Sequence, residues 1–114
     1  MLARINRLSK QKDFEAVFKN GGWQQNKYLA VRFMQNGQLA SRSAVVVSAK
    51  VTKKAVLRNK IRRQITETLA QSWSDIKKGQ DLVWVAKNQI ITLEPSAIRQ
   101  VVQELLKRAK LYVR

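Results

Sequence analysis

From Lys50 to Ile65 the sequence reads KVTKKAVLRNKIRRQI, and its cations are phased as a helix would need them. At about 100° per residue, Arg58, Arg62 and Arg63 gather into one ridge, with Asn59 inside it and Lys53 and Lys54 just upstream. Such a ridge does recognition chemistry. Guanidinium forks pair with phosphate oxygens in a way a run of Lys does not, and an exposed Asn amide offers a directed hydrogen bond. Bond-breaking chemistry is much harder to find. The chain has 0 Cys and 0 His, which removes thiol nucleophiles, disulfides, Cys/His zinc sites and every His-based triad. A general base at neutral pH would have to be a perturbed carboxylate or Lys. The 7 acids show no paired arrangement of the two-metal nuclease kind, and Asp13 and Glu15, two apart on a helix, face different ways. No catalytic side chain and no protein metal site are expected.

The charge around the ridge has the same sense. Over 114 residues, 23 Lys and Arg against 7 Asp and Glu give a net charge of +16. Between Glu15 and Glu67 lie 51 residues with 11 bases and no acid, so about two thirds of the surplus sits mid-chain. Self-repulsion of that density destabilises a compact fold unless an anion offsets it, and a merely solvated surface usually mixes its signs. Nucleic acid is the expected partner. No apolar run approaches the roughly 18 residues of a spanning helix, and MLARINRLSKQKDF lacks a secretory apolar stretch. The expectation is a soluble, cytoplasmic protein with no membrane contact and no obligate protein partner.

The elements that must position these residues form one domain over 1–114. A short amphipathic helix is predicted over 9–20, with Ser9 as N-cap, Phe14, Val17 and Phe18 on one face, and Gly21 and Gly22 ending it. Residues 27–34 alternate as a strand: Leu29, Val31 and Phe33 on one side, Tyr28, Ala30, Arg32 and Met34 on the other. Asn36-Gly37 is a turn signal behind it, and a further short strand around 36–42 is left open. Strands are also predicted over 43–49 and, buried, over 81–87. The helix over 55–73 has Leu57, Ile61, Ile65 and Leu69 as its buried stripe, with Thr66 on the ridge side. A last helix opens at Pro95 and packs Ile98, Val101, Val102, Leu105 and Ala109. The order predicts a single α/β sandwich, helices on a small sheet.

Two stretches carry a resemblance to a known family. VVVSAKVTKKAVLRNKIRRQIT is similar to the RNxxKRxxR helix that follows a VSxK strand in the protein component of bacterial ribonuclease P, and RLSKQKDFEAVFKNGG resembles that family's N-terminal xDFxxVFKxG pattern. Lys60 stands where many relatives have Arg, Arg62 where many have Lys, and Thr66 in place of the motif's last Arg. Arg32 holds an outward strand position often aromatic in the family.

The resemblance implies an α+β two-layer sandwich, a small mixed sheet with about three helices, ribosomal protein S5 domain 2-like. It also implies a left-handed βαβ crossover, against the general right-handed rule. In that family the RNA subunit uses Mg2+ to remove the 5′ leader from precursor tRNA, as an endoribonuclease, while the protein assists. Carried over residue by residue, Lys53, Lys54, Arg58, Asn59, Lys60, Arg62, Arg63 and Thr66 would bind ribonuclease P RNA. Phe14, Phe18, Tyr28, Arg32, Ser48 and Lys50 would line a leader cleft between the first helix and the sheet. By residue pattern alone, Phe14 and Phe18 read equally as the apolar stripe of their helix; the resemblance favours the cleft. The rival classes are a small ribosomal or ribosome-associated RNA-binding protein, a DNA-binding regulator using 55–73 as recognition helix, and a stand-alone nuclease. The paired motifs, the flanking strands and the missing nucleophiles weigh against these in turn.

Overall fold

The computed structural model describes residues 2–113. In chain order the elements are α1 (Gln11–Asn20), β1 (Gly22–Gln25), β2 (Leu29–Gln35), β3 (Arg42–Val46), α2 (Ala55–Gln71), β4 (Gln80–Ala86) and α3 (Pro95–Arg108). The strands form one sheet in the order β1-β2-β4-β3. β4 runs antiparallel to β2 and parallel to β3, so α2 is the crossover that joins the two parallel neighbours.

Alternation along β2 and β4 decides what each face receives. Leu29, Val31, Leu82 and Trp84 project to one side, where Ile61, Ile65 and Leu69 of α2 and Ile98, Val102 and Leu105 of α3 bury them. On the other face Val17 of α1 and Val83 are fully buried together with Leu8, flanked by Phe14, Met34, Ala44 and Val85. Burying each Val or Leu side chain contributes about 1.5–3 kcal/mol. This second cluster is small, so α1 covers part of its face and leaves the rest open.

Several boundaries differ from expectation for local reasons. Ser9 does not cap α1: Lys10 is the N-cap residue, and no side chain bonds the free N–H groups. The Asn26 carboxamide oxygen accepts the N–H groups of Tyr28 and Leu29 at 2.9 and 3.0 Å, a turn that delays the start of β2. The open stretch at 36–42 turns through Gly37 (φ 72°) and joins the sheet only at Arg42. Leu57 is half-buried, and Trp73 belongs to a short 3-10 turn after α2. The unforeseen strand is β1. Its sequence GWQQ has no alternation to read, and it exists by pairing with β2.

Gly21 alone separates α1 from β1. A Cβ there would lie 2.5 Å from the Phe33 carbonyl oxygen and 2.6 Å from that of Val17, so the site admits only glycine. At the opposite edge the N-terminal segment runs along β3, where Leu8 donates its N–H to the Ser43 carbonyl at 3.0 Å. Among the described residues, no helix is long and apolar enough to cross a membrane.

Candidate RNA interface

The ridge is built on the first half of α2. Lys54 is its N-cap residue, Lys53 precedes it, both are exposed, and no acid occupies the first turn. The unpaired N–H groups and the positive end of the helix dipole therefore add to the cations. Arg58 is half-buried and ties down the preceding loop, donating to the Thr52 carbonyl at 2.9 Å. Asn59 is exposed, and its oxygen accepts a close hydrogen bond from Arg62, which fixes the guanidinium along the helix. Arg63 is exposed beside it.

Arg62 and Thr66 border a depression closed on its far side by Leu8, Ser43 and Arg7. Arg7 was not singled out by the sequence reading; the bridge to Ser43 brings it there. The buried Ser43 hydroxyl has no hydrogen-bond partner among the described residues. Two guanidinium groups and two hydroxyls thus surround one hollow. Lys60 is placed elsewhere, on the side of α2 that faces Ile90, Ile91 and Pro95. The structure does not bring it to the ridge.

The second surface lies on the other face of the sheet. Strand pairing sets Ala44, Val83, Arg32 and Trp23 in one row across the four strands, and Val46, Val85, Ala30 and Gln25 in the next. α1 packs on the first row over Val83 and reaches Arg32 through Phe18. Phe14 is half-buried against the Val17–Val83 cluster, while Phe18 stays 42% exposed. The Arg32 guanidinium stacks on the Phe18 ring at 4.9 Å and reaches the Phe18 carbonyl at 3.5 Å. A helix wall with two aromatic rings thus stands over a floor of small aliphatic side chains.

Ser48 and Lys50 are exposed just beyond β3, at the end of the floor away from β1, with the Ser48 hydroxyl accepting the Lys50 N–H at 3.3 Å. Tyr28 is the exception. It precedes β2 in the turn and packs against the α2–α3 core, so alternation from Arg32 does not extend back to it.

A polar network missed by the sequence reading holds the wall in place. Arg42 grips the buried Asp81 with two hydrogen bonds of 2.9 and 2.7 Å and reaches Asp13 of α1 at 3.2 Å. Asn36 donates to the same Asp81 at 2.9 Å. The bond to Asp81 raises the Arg42 pKa against the opposing effect of burial. An acid opening the apolar run DLVWVA needs a buried partner, and that need was the available signal.

Comparison with known proteins agrees with this architecture. The family model for ribonuclease P matches residues 2–110. The ribonuclease P protein component of Brevibacillus brevis is 39% identical over 108 residues, covering 94% of this chain and 85% of that protein. That of Caldanaerobacter subterraneus is 30% identical over 112 residues, 98% of this chain and 96% of its own. Among solved structures, the RNase P protein of Staphylococcus aureus superposes with a TM-score of 0.89 at 30% identity, covering 94% of this chain and 97% of that one. The Thermotoga maritima protein gives 0.81 at 34% identity over 90% and 96%. A match that runs nearly end to end, in sequence and in fold, means that the chain belongs to the ribonuclease P protein family and is a protein subunit of that ribonucleoprotein.

Proposed function

We propose that α2 docks on the ribonuclease P RNA while the α1–sheet cleft takes the 5′ leader of precursor tRNA, so that the chain assists leader removal by the RNA. The observation that carries the cleft half is the Phe18–Arg32 stack over an open aliphatic floor. Base stacking on an aromatic ring contributes about 1–3 kcal/mol and tolerates any sequence, as a variable leader requires. Phe14 and Phe18 supply the rings, Arg32 a planar cation, and Lys50 a charge for the backbone at the β3 end of the cleft. For the RNA half, the half-buried Arg62 and the exposed Arg63 and Asn59 form the ridge, with Lys53 and Lys54 at its start. A phosphate in the hollow beside Thr66 would meet Arg7 and Arg62.

The chemistry belongs to the RNA subunit in this reading, as does Mg2+, which supplies charge stabilisation there. Three of the chain's 7 acids are paired with arginines: Asp13 and Asp81 with Arg42, and Glu104 with Arg108. Among the described residues no three carboxylates converge on a metal-sized space. The 114 residues act as one domain in the cytoplasm, where precursor tRNA is made. Adding the chain to a bacterial ribonuclease P RNA at low Mg2+ tests the proposal. Leader removal should accelerate, and the chain freed of RNA should cleave nothing. An unchanged RNA rate, or turnover by the protein alone, overturns it.

A further inference from the structure

We propose that Trp23 extends the leader cleft by one further stacking position, at the β1 edge of the sheet. The inference rests on the cleft reading above. Trp23 is the direct cross-strand partner of Arg32, so both side chains leave the sheet on the cleft side. It is 55% exposed and belongs to neither buried cluster, although it is the largest side-chain type in the chain. The fully buried Trp84 shows where the fold uses an indole for packing. A Trp left half in water on an edge strand gives the core little and offers a flat, unoccupied ring.

Its neighbours make that ring part of a path. Phe18 stacks on Arg32, and Arg32 is paired with Trp23 across β1 and β2, so a ring, a guanidinium and a second ring share one face of the sheet. Gln25, next along on the same face, is held by a close hydrogen bond from Lys87, which brings a cation beside the same edge. Aromatic rings separated by a cation suit single-stranded nucleic acid, whose bases stack while its phosphates need charge. A double helix keeps its bases stacked inside, and an acidic peptide has no use for the rings. The occupant is therefore an unpaired leader nucleotide beyond those held at Phe18.

The test uses holoenzyme reconstituted with ribonuclease P RNA and precursor tRNAs whose leaders lengthen one nucleotide at a time, under non-cleaving conditions. Wild-type affinity should keep rising past the length at which Trp23→Leu levels off. On the longest leaders Trp23→Leu should bind roughly 5- to 100-fold more weakly, with short leaders and leaderless tRNA unaffected. Trp23→Phe keeps a stacking face and should stay near wild type. Phe18→Leu serves as control for the cleft and should lower the gains from the first nucleotides. If Phe18→Leu does so while Trp23→Leu matches wild type at every length, the Trp23 position is wrong and the cleft stands. Should neither variant change leader dependence, the cleft reading falls and this proposal falls with it. A Trp23→Leu loss equal for leaderless tRNA would also overturn it, assigning Trp23 to the fold.

Discussion

The Arg32 guanidinium lies 4.9 Å from the centre of the Phe18 ring, which joins the helix wall of the cleft to its sheet floor. The contact orients both groups before any RNA arrives, so less ordering is left to be done on binding. Phe18 is held by this stack rather than by the core.

Phe18→Ala should therefore act on substrate more than on stability. Holoenzyme affinity for leader-bearing precursor tRNA should drop roughly 5- to 100-fold, with leaderless tRNA and assembly unchanged. Unfolding free energy should fall by about 1–2 kcal/mol, less than for a buried Phe. Equal losses for both tRNAs would make Phe18 a packing residue.

Replacing Arg62 and Arg63 together with Ala should weaken assembly with the RNA subunit whatever substrate is present. The slope of log affinity against log salt should decrease by about 2, one for each phosphate contact removed. Lys60→Ala, on the other side of α2, should leave the slope near wild type. A filter-binding salt series on the three proteins decides it.

Assembly should depend steeply on salt and hardly at all on pH. With 6–10 phosphates contacted, affinity falls about 10³–10⁵-fold between roughly 50 and 200 mM salt. The chain has 0 His and 0 Cys, the side-chain types whose ordinary pKa values fall between about pH 6 and 8.5. Salt slopes measured at the two ends of that range should coincide.

Arg42→Ala should cost about 3–5 kcal/mol, because Asp81 is left buried without its cation and with only the neutral Asn36 amide as partner. The Arg42 pKa is raised on folding. Its stabilisation is therefore complete below the unfolded guanidinium value and is lost only as pH rises through the higher folded one. Thermal unfolding of wild type should show no Arg42-linked change between about pH 6 and 10. A wild-type-like melting temperature for Arg42→Ala would show that the network does not hold α1.

The parts of this molecule that announce themselves in sequence are those with a period. The four-residue repeat of Ile61, Ile65 and Leu69 fixes α2, and with it the side on which Arg62 and Arg63 stand. Alternation fixes β2 and puts Arg32 opposite Leu29 and Val31. What escaped is what depends on partners distant in sequence. β1 has no pattern of its own, and only pairing with β2 aligns Trp23 with Arg32. Arg7 and Arg42 sit in unremarkable local contexts, and only chain crossings bring them to Ser43 and Asp81. Tyr28 departs from the alternation because the turn closed by Asn26 delays the start of β2 to Leu29.

The single glycine between α1 and β1 makes the distance from Phe18 to Trp23 a matter of chain length. No side chain fits at Gly21, and no slack separates Val17 from the first β1–β2 pair, Gly22 with Phe33. Substitutions on either side can change what the cleft prefers, but an inserted or deleted residue would shift wall against floor and turn Trp23 to the opposite face. The turn at Gly37 is closed differently, its tip open to solvent at Leu39 and its base clasped by the Asn36 amide donating to the Ala40 carbonyl at 3.0 Å. At Gly21 the cleft can vary only in composition.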